Sequence, residues 1–249
     1  MYLYYPSDYA TFPEGSLPLV VFMHGKGLGG DRVQDFFGKQ MEAIGTWGFI
    51  GLLPKVCTSE WCFQYANDVV RTVTDTKGSG QSDVLRFANY SSVGLMGQSM
   101  GGNAVVKVAT WQDALDINVR AVVGIMPAVM YDPFTLPARI RVPVFFETGT
   151  IDVICPFPTV RRAFDRDPMA DKIYVNIEGA EHEEETNYHT RPNLPYMMRY
   201  LRCKLSEDAE ACDLVYGSGP KSLCNNGVTK YKDCIVPDLE SIKNKQLSI

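Results

Sequence analysis

The sequence predicts an α/β protein, with a mostly parallel central sheet and helices on both faces. Three observations predict it. Short, mainly apolar runs of strand length recur along the chain. Stretches of helical character separate them. Most of the runs are continuous rather than alternating, the pattern of strands covered on both sides.

The first run, Leu19–Met23, ends in His24-Gly25 and leads into a helix around Arg32–Ile44. Phe49–Leu53 is the second strand, stopped by Pro54, which has no N–H to give a ladder. Tyr65–Thr74 reads as a helix. Ser92–Met96 is the third strand, followed at once by the small-residue helix Gly101–Thr110. Val119–Ile125, Val144–Phe146 and Lys172–Ile177 are the fourth, fifth and sixth strands. Helices are expected over Thr159–Phe164 and Leu194–Lys204. No linker divides the chain, so 1–249 reads as one domain with a core over about 17–201 and a Cys-rich extension over about 202–249. The stretch Ile125–Pro143 is too short for a large inserted lid.

Composition narrows the function. The 249 residues are 45% hydrophobic and 21% charged, ordinary for a globular chain. A net charge of −5 argues against binding nucleic acid or being held on anionic membranes by charge. No apolar run reaches the roughly 20 residues that span a bilayer. No repeat at a fixed period and no low-complexity tract is present.

Seven cysteines speak to compartment: Cys57, Cys62, Cys155, Cys203, Cys212, Cys224 and Cys234. The last four lie in a tail rich in Gly, Asn and Ser, the composition of a stapled, loop-rich end from an oxidising compartment. Their spacings match no common zinc module, and CxxC pairs are absent. The simplest pairing is local: Cys57–Cys62, Cys203–Cys212 and Cys224–Cys234, leaving Cys155 as the free thiol. Asn89-Tyr90-Ser91 is a glycosylation sequon and adds weight to secretion. Met1–Pro6 does not read as a signal peptide, so the chain is expected to be a mature secreted form or one never exported.

The strongest chemical signal is Gly97-Gln98-Ser99-Met100-Gly101, a GxSxG turn between a strand and a helix. Ser99 must occupy a strained turn for its hydroxyl to stand clear of the sheet, and the glycines let neighbouring backbone pass. A nucleophilic serine needs a base, and the chain has three histidines: His24, His182 and His189. The order Ser, then Asp or Glu, then His places the base after the last strand, which selects His182, with His189 in reserve. Asp152, just past the fifth strand, is the third member; Glu147, nearer the strand, is the alternative. The backbone N–H groups of Met100 and Lys26 are the expected oxyanion donors. His24 then serves to orient its loop. Trp61, Met126, Met130 and Tyr131 are candidates for an acyl or aromatic cleft.

Rival motifs are weak. Gly25-Lys26-Gly27-Leu28-Gly29-Gly30 formally matches a dinucleotide turn, but the next strand ends in Leu53-Pro54-Lys55 without the required acid. The Walker pattern and HExxH are absent, and the acidic run around His182 reads as solvated loop. No cofactor and no metal are expected.

The segments HGKGLGG, GQSMGG, ETGTIDVICP and EGAEH together resemble the α/β-hydrolase superfamily. They look most like the lidless, cutinase-like polyester hydrolases of the PETase type and the dienelactone-hydrolase-like serine esterases. The resemblance covers roughly Leu17 to Leu201. It implies the α/β-hydrolase fold, a Ser99–Asp152–His182 triad, and amides of Met100 and Lys26 at the oxyanion. Lys26 stands where polyester hydrolases usually carry an aromatic, and Gln98 where they usually have Trp or His. Chlorophyllases share the arrangement but typically have Arg where this chain has Met100. The expected activity is ester hydrolysis through an acyl-enzyme at an open site that admits bulky or polymeric esters, by a secreted monomer. Peptidase or amidase, lipase and chlorophyllase-like activities are the alternatives on the same triad, and a non-catalytic binding module is the last.

Overall fold

Strands β1 (Tyr2–Tyr4), β2 (Leu17–Met23), β3 (Ile50–Leu53), β4 (Ala88–Gln98), β5 (Val119–Ile125), β6 (Val144–Gly149), β7 (Lys172–Ile177) and β8 (Tyr231–Ile235) form one sheet in the computed structural model. Its order is β1-β3-β2-β4-β5-β6-β7-β8. The six inner strands run parallel, while β1 and β8 pair antiparallel at the two edges. The residues described are 1–26, 32–55, 65–78, 80, 82–129, 135–182, 193–239 and 242. Among them the helices are α1 (Arg32–Thr46), α2 (Tyr65–Thr76), α3 (Met100–Val108), α4 (Gln112–Asp116), α5 (Phe157–Arg166), α6 (Leu194–Ser206) and α7 (Ala209–Tyr216).

The inner strands are covered because their side chains feed two separate layers. Leu19, Val21, Leu95 and Phe146 point to the layer closed by α2, α3 and α5. Val20, Phe22, Met96 and Phe145 point to the layer closed by α1, α6 and α7. Successive residues of a strand face opposite sides, so strands filled on both faces read as unbroken apolar runs. The sequence reading located these six strands correctly. It missed the edge strands, because three-residue β1 and the half-exposed, charged β8 carry no apolar run.

The sequence reading sets 202–249 apart as an extension. Within that extension β8 pairs with β7, and Ala211, Val215, Tyr216 and Leu223 pack into the α1/α6 layer. Two disulfides staple this segment, Cys203–Cys212 and Cys224–Cys234, as the local pairing predicts. Cys155 is free, also as predicted, and it is buried. Cys57 and Cys62 lie outside the described residues. Among the described residues, no helix is long and apolar enough to cross a membrane.

The parallel strands all end on the same side of the sheet. The segments carrying His24–Lys26, Ser99, Asp152 and His182 leave the ends of β2, β4, β6 and β7 respectively. Ligand sites of open α/β sheets form along this edge.

Candidate active site

Ser99 occupies the one-residue turn between β4 and α3 with φ 56° and ψ −118°. A non-glycine residue at positive φ is strained, and it persists only where its surroundings force it. The forcing groups are identifiable. Ser99 N–H donates to Ile125 O at 2.9 Å, and Ser99 O accepts from Asn103 and Ala128 N–H at 2.9 and 3.0 Å. The glycines on either side have no alternative. A Cβ on Gly97 would run into the Gly101 backbone, and one on Gly101 would overlap the Met23 and His24 carbonyls.

Ser99, His182 and Asp152 form a continuous hydrogen-bonded chain. Ser99 Oγ lies 2.9 Å from His182 Nε2, and His182 Nδ1 lies 2.8 Å from Asp152 Oδ2. All three are buried, with 7%, 9% and 4% of their surface exposed, so water competes little for these bonds. A carboxylate only accepts, so Nδ1 carries the proton and donates to Asp152. That leaves the Nε2 lone pair to accept the Ser99 hydroxyl proton. The other Asp152 oxygen accepts from Ile154 N–H at 2.9 Å and Cys155 N–H at 2.7 Å, which fixes the carboxylate.

Glu147, the alternative acid, is fully buried but faces elsewhere. Its carboxylate accepts a short hydrogen bond from Asn193 Nδ2, and Tyr231 Oη donates to Asn193 Oδ1 at 2.8 Å. Burial and the Glu147 charge both raise the Tyr231 pKa. His189 lies outside the described residues.

Met100 is the first residue of α3, and the first intrahelical bond of α3 runs from Asn103 N–H to Ser99 O. The Met100 N–H therefore has no carbonyl within its own helix and lies at the positive end of the helix dipole. The His24–Lys26 segment passes directly beside the serine: a Cβ on Gly25 would sit 3.3 Å from Ser99 Cβ and collide with Gln98 Oε1. The fully buried His24 donates from Nδ1 to Gly25 O at 2.7 Å, the orienting role expected of it. The Lys26 side chain is exposed, so its ammonium points away from the core and its backbone carries any contribution. Gly27–Gly30 lie outside the described residues.

The cleft candidates fare unevenly. Trp61, Met130 and Tyr131 lie outside the described residues. Met126 is fully buried, packed with Ile177 and Ala180 beneath the site, and its N–H donates to Glu147 O at 2.8 Å. It follows the end of β5, whose last residue, Ile125, accepts the Ser99 N–H.

Sequence reasoning treated Cys155 only as a leftover thiol. The structure brings it to the centre of the site. The residue is 1% exposed, and its sulfur lies within 4.8 Å of ligating atoms of Asp152 and His182. Burial, aided by the Asp152 charge, pushes its thiol up to about 12 against the pull of Ser99, so it stays protonated at neutral pH. The visible signal was its position three residues after Asp152, where a backbone N–H returns to a side-chain carboxylate.

No curated protein matches the chain. The family model of the chlorophyllases matches residues 9–133, which takes in β2 through β5 with the Ser99 turn and the His24–Lys26 segment between them. The sequence reading carried this family as an alternative because of Met100. With half of its length matched, and with the sheet of an α/β-hydrolase around the match, the chain belongs to the chlorophyllase family.

Proposed function

We propose that the protein is a serine carboxylesterase. The observation that carries the reading is the unbroken chain from Ser99 Oγ through His182 to Asp152, built on a strained strand-to-helix turn. Ser99 Oγ attacks the ester carbonyl carbon while His182 Nε2 takes its proton. Asp152 holds the Nδ1–H tautomer and stabilises the imidazolium. The tetrahedral oxyanion receives the N–H groups of Met100 and Lys26. His182 then protonates the departing alcohol. A water, giving its proton to His182, releases the acid from the acyl-enzyme. The chemistry uses side chains and backbone alone.

The substrate is an ester with a bulky acyl or alcohol part. The short connection after β5 favours an uncovered site and cutinase-like use of polyesters. Family membership favours a second reading, in which chlorophyll is the ester cleaved. The two disulfides are in keeping with a secreted protein.

The test is hydrolysis of a p-nitrophenyl ester series, a soluble polyester and chlorophyll by wild type and Ser99→Ala. Ester cleavage lost in the variant, with fluorophosphonate labelling of Ser99, supports the reading. Equal turnover by both proteins sinks it. The relative rates on polyester and chlorophyll decide between the two substrate readings.

A further inference from the structure

The proposed hydrolytic cycle leaves one buried, sulfur-bearing side chain unused, and it lies close to two groups the cycle cannot lose. Cys155, His182 and Asp152 each direct one metal-ligating atom to the same place, and these atoms all lie within 4.8 Å of one another. We propose that they form a binding site for a thiophilic divalent cation of the zinc class, and that the bound cation switches the hydrolase off.

The donor set selects the ion. Thiolate, imidazole and carboxylate together suit Zn²⁺ and its softer relatives; Mg²⁺ and Ca²⁺ prefer oxygen ligands throughout. Ligand bonds of about 2.0–2.3 Å bring three ligand atoms within about 4 Å of one another. At a tetrahedral angle they stand about 3.5 Å apart, so the 4.8 Å spacing leaves a closing movement of at most about 1.3 Å. Two of the three ligands are already fixed relative to each other: Cys155 N–H is bonded to Asp152 Oδ1 at 2.7 Å. Cys155 also directly precedes Pro156, the N-cap of α5, so the turn that presents the thiol is anchored to a helix. His182 keeps a tenth of its side-chain surface open, a route for a small ion.

Binding replaces the thiol proton, which leaves to solvent, with a sulfur–metal bond. Burial favours the neutral thiol, so only an ion with high affinity for sulfur makes the exchange. Whichever ring nitrogen the ion takes, His182 stops working as a base. At Nε2 the ion occupies the lone pair that accepts the Ser99 proton. At Nδ1 it displaces the proton that Asp152 holds, and the tautomer the cycle needs is lost. Binding stands on the geometry alone, whereas inhibition rests on the serine-esterase reading above.

The experiment separates the two. Co²⁺ is titrated into wild type, Ser99→Ala and Cys155→Ala, and the near-ultraviolet thiolate-to-cobalt charge-transfer band is followed. In parallel, Zn²⁺ is titrated into the p-nitrophenyl ester assay, with EDTA added afterwards. The expected result is a band in wild type and Ser99→Ala, bleached by Zn²⁺ and absent from Cys155→Ala. Zn²⁺ abolishes ester cleavage by wild type, and EDTA restores it. The half-inhibiting concentration rises at least about tenfold in Cys155→Ala, since loss of even an outer partner costs roughly 10–100-fold in metal affinity. If Cys155→Ala does not melt cooperatively, Cys155→Ser replaces it. A missing band in wild type, or an equal band in Cys155→Ala, overturns the proposal. So does a Cys155-dependent band without inhibition. A wild type that binds Co²⁺ through Cys155 but cleaves no ester instead refutes the esterase reading and leaves the cation site standing.

Discussion

Gly149 and Ala180 are packed so closely that a Cβ on Gly149 would overlap the Ala180 carbonyl oxygen. The contact joins the end of β6, which leads to Asp152, to the segment after β7, which leads to His182. Further bonds close the same seam: Thr150 N–H to Ile177 O at 3.0 Å, Ile151 N–H to Ala180 O at 3.2 Å, and Gly179 N–H to Thr150 Oγ1 at 2.8 Å. The 2.8 Å bond between Asp152 and His182 depends on this seam. Gly149→Ala is expected to push the segments apart, costing about 1–3 kcal/mol of stability. It should also lower kcat at least tenfold, an about 1.4 kcal/mol loss of transition-state stabilisation. Thermal melting and ester kinetics check both. Wild-type kcat in a folded variant would show that the seam does not set the triad.

Asp152 and Glu147 offer a direct contrast. Asp152→Asn keeps the shape but reverses the preferred tautomer of His182, and kcat should fall by about 10⁴-fold with little change in melting temperature. Glu147→Gln touches a buried carboxylate bonded to Asn193, away from the imidazole. Its cost should appear in melting temperature, at about 1–3 kcal/mol, more than in kcat. The reverse pattern would make Glu147 the triad acid.

Tyr231 reaches the His182 loop from the far edge of the sheet. Its hydroxyl holds Asn193, the N-cap of α6, and Glu178 N–H donates to Lys230 O at 2.9 Å. Both ends of the segment carrying His182 are thus tied to the strand that Cys224–Cys234 staples. Closing a loop of this size by a disulfide contributes about 2.5–3 kcal/mol. Tyr231→Phe should cost about 1–2 kcal/mol. The paired Cys224→Ser, Cys234→Ser variant should melt several degrees lower and lose kcat. Unchanged melting in either variant would show the tail to be dispensable.

Asp167 supplies a pH signature independent of catalysis. It is 3% exposed, one carboxylate oxygen has no partner, and burial pushes its pKa up to about 7 from 3.8. A folded-state pKa above the unfolded one means the native state binds the extra proton. Its contribution is therefore full below about pH 4 and is lost as pH rises to about 7. The shift corresponds to at most about 4 kcal/mol. Asp167→Asn, neutral at every pH, should gain on wild type between pH 5 and 8 when urea unfolding is compared. A constant difference across that range would contradict the assignment.

The inner sheet and the residues that meet at Ser99 were legible in the sequence for related reasons. Strands buried on both faces must be apolar throughout, and a serine in a strained turn needs glycine neighbours. Both requirements leave marks on consecutive residues. Asp152 was separable from Glu147 only by its distance past the strand. The rest depended on pairings between distant residues. β8 became a strand because it completes the edge of β7, not because Tyr-Lys-Asp-Cys-Ile reads as one. Asn193 and Tyr231 carry no motif, and their meeting with Glu147 exists only in three dimensions. Cys155 lay in plain view within ETGTIDVICP, but periodicity does not say which way a loop thiol points.

The antiparallel strand at the far edge has a consequence for how the chain is made. A ribosome delivers β7 long before β8. Through that interval the outer backbone groups of Tyr174–Ile177 have no neighbour, and an open strand edge recruits strands from other chains. The same residues lie beside the segment that carries His182. During synthesis, then, the nascent chain is open to aggregation beside the segment that carries His182, until the disulfide-stapled β8 arrives to cover that edge.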